Sequence, residues 1–330
     1  MKICVVGAGA IGGFLGTRLA LEGSAEVSAL ARGPTLVALR EHGWRLHEPG
    51  SRVQAPLALA ADDPRDLGPQ DLLLLAVKSP ALPALAPTLA PLLSPDTVVL
   101  PAMNGVPWWF AAGIDALGAR PLESVDPGGT IGSAIPTARV VGCVVHAAVS
   151  TAAPGIAVHR MGRGLIIGEP QGEDSPRVRQ LAALFSRAGF EVRTSARIRY
   201  DIWYKLWGNM TMNPVSALTG ATLDRVLDDE LVLAFCSAAM REARAVGARI
   251  GCDVHESPDE RHAVTRKLGA AKTSMLQDVE ALRPLELDAL VGAVREIGAR
   301  VRVPTPNIDA LFGLTRLFGR VRGLYPSAIP

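Results

Sequence analysis

The sequence predicts a doubly wound α/β domain followed by an all-helical domain, and three observations predict it. The apolar run Ile3-Cys4-Val5-Val6 feeds directly into Gly7-Ala8-Gly9-Ala10-Ile11-Gly12. Short apolar runs then alternate with helical patterns through the first half. From about Ile198 strand-like runs vanish and helical periodicity alone continues, as in Leu231–Ile250 and Glu286–Arg300. The expected domains are therefore 1–197 and 198–330, two units being what 330 residues suit.

A buried strand, a glycine turn and a helix in that order make a phosphate cradle. Gly7 permits the tight turn, Gly9 lets backbone approach a pyrophosphate, and Gly12 lets the following helix pack close to the sheet. The helix continues through Phe14-Leu15-Gly16-Thr17-Arg18-Leu19-Ala20-Leu21. In this position the glycines indicate an N-terminal Rossmann-type dinucleotide-binding domain, with Gly7, Ala8, Gly9, Ala10, Ile11 and Gly12 as cofactor-binding residues. The second strand, Glu26–Ala31, carries no acid at its tip and ends at Arg32. A carboxylate there would select a free ribose 2′-hydroxyl, whereas a guanidinium binds a 2′-phosphate by charge and paired hydrogen bonds. The expected cofactor is NADP(H). The plainer alternative makes Arg32 a solvated residue opening the Gly33-Pro34 turn.

A helix near Pro34–His42 and short strands at Trp44–His47 and Val53–Leu59 follow. Asp71–Val77 is a continuous apolar run of the fully buried parallel kind, ending in Lys78-Ser79 at the edge where such sheets place ligands. A helix over 81–93 and the strand Thr97–Leu100 lead into Pro101-Ala102-Met103-Asn104-Gly105. Runs at Val140–Ala148, Gly155–His159 and Leu165–Gly168 suggest an antiparallel edge. A helix over 176–189 and the strand Phe190–Thr194 close the domain.

Composition excludes several classes. Lys and Arg total 34 against 32 Asp and Glu, a net charge of +2, and no basic cluster interleaved with aromatics points to nucleic acid. Cys4, Cys143, Cys236 and Cys252 are scattered without CxxC spacing, so buried thiols are expected, and neither a disulfide framework nor a metal site. With a strand expected from residue 2 and no long apolar run, neither a signal peptide nor a membrane span is expected, and the location read is cytoplasmic. The apolar helical half could bury a homodimer interface.

Within Ile202–Pro214, Lys205, Asn209 and Asn213 fall at i, i+4 and i+8 and form one polar row on an otherwise apolar helix. Asn is a mediocre helix former, so two on one face call for a reason. An ordinary solvated face is one. Ketone reduction is the other: hydride leaves a nicotinamide while an acid such as the Lys205 ammonium protonates the forming alkoxide. A second cluster, Lys272–Asp278 with Glu286 further on, offers Ser274 as a carboxylate ligand or a helix cap. Glu286 reads as a hydroxyl ligand or a surface charge.

Taken together, these residues resemble the ketopantoate reductase (2-dehydropantoate 2-reductase) family. The likeness runs over nearly the whole chain, through the glycine turn, Arg32, Val77-Lys78, Asn104-Gly105, Trp203-x-Lys205-Leu-x-x-Asn209-x-x-x-Asn213-Pro214, Ser274–Asp278 and Glu286. It implies NADPH-dependent reduction of 2-dehydropantoate to pantoate in pantothenate and coenzyme A biosynthesis. By the resemblance Lys205 is the catalytic proton donor, and Asn209, Asn213 and Ser274 contact substrate. It also implies that Asn104 lies between cofactor and substrate, that Lys78 sits beside the cofactor phosphates or substrate acid, and that Glu286 serves catalysis near the nicotinamide ribose.

The sequence departs from the family at Met103, where a Gln commonly stands, and near Leu223, where some members use a further Asn. The stretch from Gly105 to Gly142 is long and carries Trp108-Trp109, a packing element or a substrate wall. Two other readings stand beside this one: a reductase of another branched or aromatic 2-oxo acid, and a protein that senses NADPH without turnover.

Overall fold

The computed structural model describes residues 1–326. The chain divides into two compact units, Met1–Met103 with Thr130–Asp201, and Asn104–Gly129 with Ile202 onward. The switch near 198 is thus found at Asp201/Ile202. The segment Asn104–Gly129, expected inside the first domain, groups with the helical unit instead.

In the first unit, strands β1 (Lys2–Val6), β2 (Glu26–Leu30), β5 (Ala60–Ala61), β6 (Gln70–Leu75) and β7 (Leu93–Pro101) form one sheet in the order β5-β2-β1-β6-β7. Every pairing in it is parallel, with Ile3 opposite both Val27 and Leu72. That arrangement explains why β1 and β6 read as unbroken apolar runs: both faces are covered. Helix α1 (Ala10–Glu22) buries Phe14, Leu15 and Leu19.

A second sheet corrects the expected antiparallel edge. β8 (Gly142–Ala153) and β9 (Ile156–Gly168) do pair antiparallel, but in a sheet with β3 (Trp44–Glu48), β4 (Ser51–Ala55) and β10 (Glu191–Thr194). One edge of β9 is shared, Ile156–Val158 pairing β3 and Gly164–Ile167 pairing β10. Gly13 and Gly16 let this sheet approach α1, because a Cβ at Gly16 would lie 2.6 Å from the Trp44 ring. Helix α2 (Gly33–His42) and helix α5 (Pro176–Arg187) stand close to their expected bounds. Between them lie the short helices α3 (Leu82–Leu85) and α4 (Thr130–Ala134). The single helix expected over 81–93 is α3 followed by a 3₁₀ stretch, Ala86–Leu92, since Pro83, Pro87 and Pro91 deny it donors and crowd the preceding turns.

The second unit is helical: α6 (Ile198–Thr219, entering from the first unit), α7 (Leu223–Asp228), α8 (Glu230–Arg249), α9 (Pro258–Arg266), α10 (Ser274–Glu280), α11 (Ala293–Arg300) and α12 (Pro306–Val321). Met212, Val215, Leu223, Val226, Leu227, Cys236 and Leu311 form one of its apolar clusters. The helix expected over Glu286–Arg300 opens with a π-helical turn, Asp288–Gly292, before α11 begins. Among the described residues no helix is long and apolar enough to cross a membrane.

Candidate active site

In the first unit the glycine turn has the predicted shape. Gly7 holds φ +91°, and a Cβ there would stand 2.6 Å from Val77 Cγ1. A Cβ on Gly12 would lie 2.0 Å from the Gly7 carbonyl oxygen, so only glycine lets α1 begin so close to β1. Gly9 is different: nothing lies within 4 Å of the place its Cβ would occupy. It is also the N-cap of α1, whose first turn carries no acid and receives no side-chain cap. Open space before uncapped N–H groups at a helix N-terminus suits the pyrophosphate of a dinucleotide. Ala8 is buried, and Ala10 and Ile11 half-buried, behind this turn. Arg32 is exposed directly beyond β2, on extended backbone (φ −139°, ψ 164°) at the N-cap of α2. Lys78 is half-buried beyond β6 and precedes the 3₁₀ turn Ser79–Ala81.

In the second unit, α6 carries the polar row among buried Trp203, Leu206, Trp207, Met210 and Met212. Trp207 Nε1 donates to the Met240 carbonyl at 2.7 Å, fixing the helix to α8. Lys205 and Asn209 are half-buried and Asn213 is only 5% exposed, so the row is no ordinary solvated face. Lys205 Nζ donates to Asn104 Oδ1 at 2.9 Å. Asn213 Nδ2 donates to Ser274 Oγ at 3.2 Å. Ser274 does not cap α10. Thr273 does, its Oγ1 accepting from Leu276 N at 3.2 Å, which leaves the Ser274 hydroxyl exposed at the first helical position. Glu286, read from sequence as a possible surface charge, is 9% exposed.

Two features fix Asn104. Gly105, at φ +84°, lies so close to the π turn that a Cβ would stand 2.6 Å from the Ala289 carbonyl oxygen. That same carbonyl accepts from Val106 N at 2.8 Å. A π turn loosens the i→i−4 ladder, and here its Ala289 carbonyl serves the neighbouring segment.

Further along, Trp108, Trp109 and Phe110 are buried, with the Phe110 ring 6.0 Å from that of Trp203, as the packing reading expects. Glu296 accepts from Glu123 N (3.0 Å), Ser124 N (2.9 Å) and Ser124 Oγ (2.6 Å). Burial opposes ionisation of Glu296, but those donors and Arg300 outweigh it and hold its carboxyl below the ordinary glutamate value. Arg300, one turn on, donates to the Leu117, Arg120 and Pro121 carbonyls.

No sequence pattern singles out Arg261 of α9, yet its guanidinium lies over the Tyr204 ring, 5.6 Å from the centroid, and against Gly208. The available signal is Gly208 itself, a glycine inside a 22-residue helix. All four cysteines are buried, and burial pushes the Cys4 and Cys236 thiols up to about 12. Among the described residues no cluster of His, Cys, Asp and Glu could hold a metal ion.

The glycine turn, Arg32 and Lys78 therefore belong to the first unit; Asn104, the row, Ser274 and Glu286 belong to the second. Comparison with known proteins gives the family. Residues 3–172 match the model described as ketopantoate reductase PanE/ApbA, and residues 197–318 match its C-terminal counterpart. A 2-dehydropantoate 2-reductase of Mesorhizobium japonicum is 44% identical over 98% of this chain and all of its own. A crystal structure of a candidate ketopantoate reductase from Ralstonia solanacearum MolK2 superposes with TM-score 0.94 at 57% identity, covering 98% of this chain and 99% of that one. D-mandelate dehydrogenase in complex with NADH and anilino(oxo)acetate shares the fold, with TM-score 0.84 at 21% identity over 98% of this chain and all of its own. The chain belongs to the ketopantoate reductase family, oxidoreductases built on a dinucleotide-binding fold.

Proposed function

We propose that this chain reduces 2-dehydropantoate to pantoate at the expense of NADPH, the pantoate-forming step of pantothenate and coenzyme A biosynthesis. The observation that carries the reading is the Lys205 ammonium, held by Asn104 at 2.9 Å in an otherwise apolar stretch of helix. The residues from Gly7 to Gly12 hold the dinucleotide phosphates, Arg32 the ribose 2′-phosphate, and Lys78 the phosphates or the substrate acid. When bound, the cofactor supplies the hydride. Lys205 donates a proton to the carbonyl oxygen as it becomes an alkoxide, and a fixed ammonium is suited to that because its charge opposes the developing negative charge. Asn104 aims the ammonium. Asn209, Asn213 and Ser274 orient the substrate through uncharged donors and acceptors, and Glu286 hydrogen-bonds the nicotinamide ribose or a substrate hydroxyl.

The test is a rate profile of cofactor oxidation. With NADPH, kcat/KM should be highest for 2-dehydropantoate among a panel of branched and aromatic 2-oxo acids, and should fall with NADH. A higher value for an aromatic acid would transfer the assignment to that substrate. Tight NADPH binding without oxidation across the panel would mark a sensor.

A further inference from the structure

We propose that Arg261 is a substrate-binding residue, its guanidinium taking the carboxylate of the 2-oxo acid from a seat on α6. The inference rests on the reading of this chain as a 2-oxo acid reductase and adds to it a residue outside the polar row.

The seat is built from Gly208. Glycine inside a helix costs about 1 kcal/mol relative to alanine, so a reason for it is needed. A Cβ at Gly208 would lie 2.6 Å from Arg261 Nη2, 2.8 Å from Cζ and 2.9 Å from Nε. The guanidinium rests directly on the helix where that side chain would be, with the Tyr204 ring beside it. Its origin is fixed as well. Arg261 follows Glu260, the third residue of the helix and the closing member of a capping box in which Ser257 and Glu260 satisfy each other's backbone N–H groups.

The donors of this guanidinium are largely unspent. A guanidinium carries five N–H groups. Here Nη1 donates to Thr265 Oγ1 at 3.3 Å, while Nε is sealed from solvent with no acceptor. No carboxylate among the described residues forms an ion pair with it; the Tyr204 phenol and then Glu256 act on it through charge alone. Burial accordingly pulls its pKa below the ordinary arginine value. With Nε enclosed by protein, it is the Nη edge that an incoming carboxylate would meet, and the two terminal nitrogens of a guanidinium fit a carboxylate with parallel bonds. Gly208 immediately precedes Asn209 and lies three residues beyond Lys205, on the adjoining strip of the same helix. A substrate held by Lys205 and Asn209 therefore lies on the strip next to that seat.

The experiment measures binding rather than turnover. 2-Oxo-3-methylbutanoate and its neutral ethyl ester are titrated calorimetrically into the full-length protein. The native chain should bind the acid at least about tenfold more tightly than the ester, as charge-assisted bonds allow. Arg261→Gln should lose about 10- to 100-fold for the acid and leave the ester unchanged, with Arg261→Lys in between. Gly208→Ala, which displaces the guanidinium but keeps it, should shift the acid in the same direction, so the result survives poor folding of one variant. Discrimination retained in Arg261→Gln, equal loss for acid and ester, or no preference in the native chain would each overturn the proposal. Failure of cofactor oxidation would instead sink the reductase reading while leaving this binding result intact.

Discussion

Lys205 Nζ lies 2.9 Å from Asn104 Oδ1, a bond between residues 101 positions apart. It holds a flexible ammonium in one place on α6, and that is what a proton donor requires. Lys205→Ala should lower kcat by about 10²- to 10⁴-fold, the usual worth of a positioned acid, with NADPH affinity nearly unchanged. Asn104→Ala keeps the amine and loses its anchor, so its effect should be smaller. Single-turnover rates and cofactor titrations check both. Normal turnover in Lys205→Ala would remove Lys205 from the mechanism.

How far such a site is legible depends on the range of the forces that build it. The turn from Gly7 to Gly12 is readable because its glycines answer local needs: a left-handed φ at Gly7, and at Gly12 a distance of 2.0 Å from backbone to a would-be Cβ. The row Lys205–Asn209–Asn213 is readable because helical spacing alone sets it. The second sheet is not, since β3 finds its parallel partner β9 more than a hundred residues away. Nor is the membership of Asn104–Gly129, which has no periodic pattern and is tied down by Glu296 and Arg300 from 172 to 183 positions further on. The π turn at Asp288–Gly292 hides inside an ordinary helical pattern. Pro83, Pro87 and Pro91 argue against a continuous helix over 81–93, a local signal that the sequence does carry, and the helix is short and then 3₁₀ there.

Gly9 and Gly12 should separate binding from folding. Gly12→Ala forces a methyl onto the Gly7 carbonyl and should cost at least about 1–3 kcal/mol of stability, as overpacking does. Gly9→Val meets no protein atom within 4 Å of its Cβ. It should leave the melting temperature within a few degrees while abolishing dinucleotide binding. Calorimetric melting with NADPH titration distinguishes the two, and a Gly9→Val variant that binds NADPH normally would take the pyrophosphate away from this turn.

Arg32 is exposed and pre-extended just beyond β2, and its side chain makes no capping hydrogen bond at the N-terminus of α2. Arg32→Asp should weaken NADPH about 10- to 100-fold, the loss of a charge-assisted pair, and leave NADH little affected. Equal losses for both cofactors would contradict a role at the 2′-phosphate.

Glu296 gives a stability prediction with a defined sign. Its folded carboxyl lies below the ordinary glutamate value despite burial, because Ser124, Glu123 and Arg300 donate to it. The contribution is therefore complete above the unfolded glutamate value and is lost as pH falls through the folded one. Glu296→Gln should melt lower than the native chain at pH 7, the gap narrowing as pH drops toward 3. At neutral pH, hydrogen exchange over residues 117–124 should quicken. A gap that widens in acid would reverse the assignment.

Gly105 joins the turn at Asn104 to the π turn, and its substitution tests whether that junction serves chemistry or only packing. At φ +84° an alanine is strained, and its methyl would stand 2.6 Å from the Ala289 carbonyl oxygen, which already accepts from Val106 N. The strain alone is of the order of 1–2 kcal/mol, and the collision adds to it, so Gly105→Ala should lower the melting temperature by several degrees. The backbone must also shift next to Asn104, moving the Oδ1 that receives the Lys205 amine. Assayed well below its melting temperature, the variant should lose kcat while its NADPH affinity stays near the native value. If stability fell and kcat did not, the junction would hold the fold alone, and Lys205 would not depend on Asn104 for its aim.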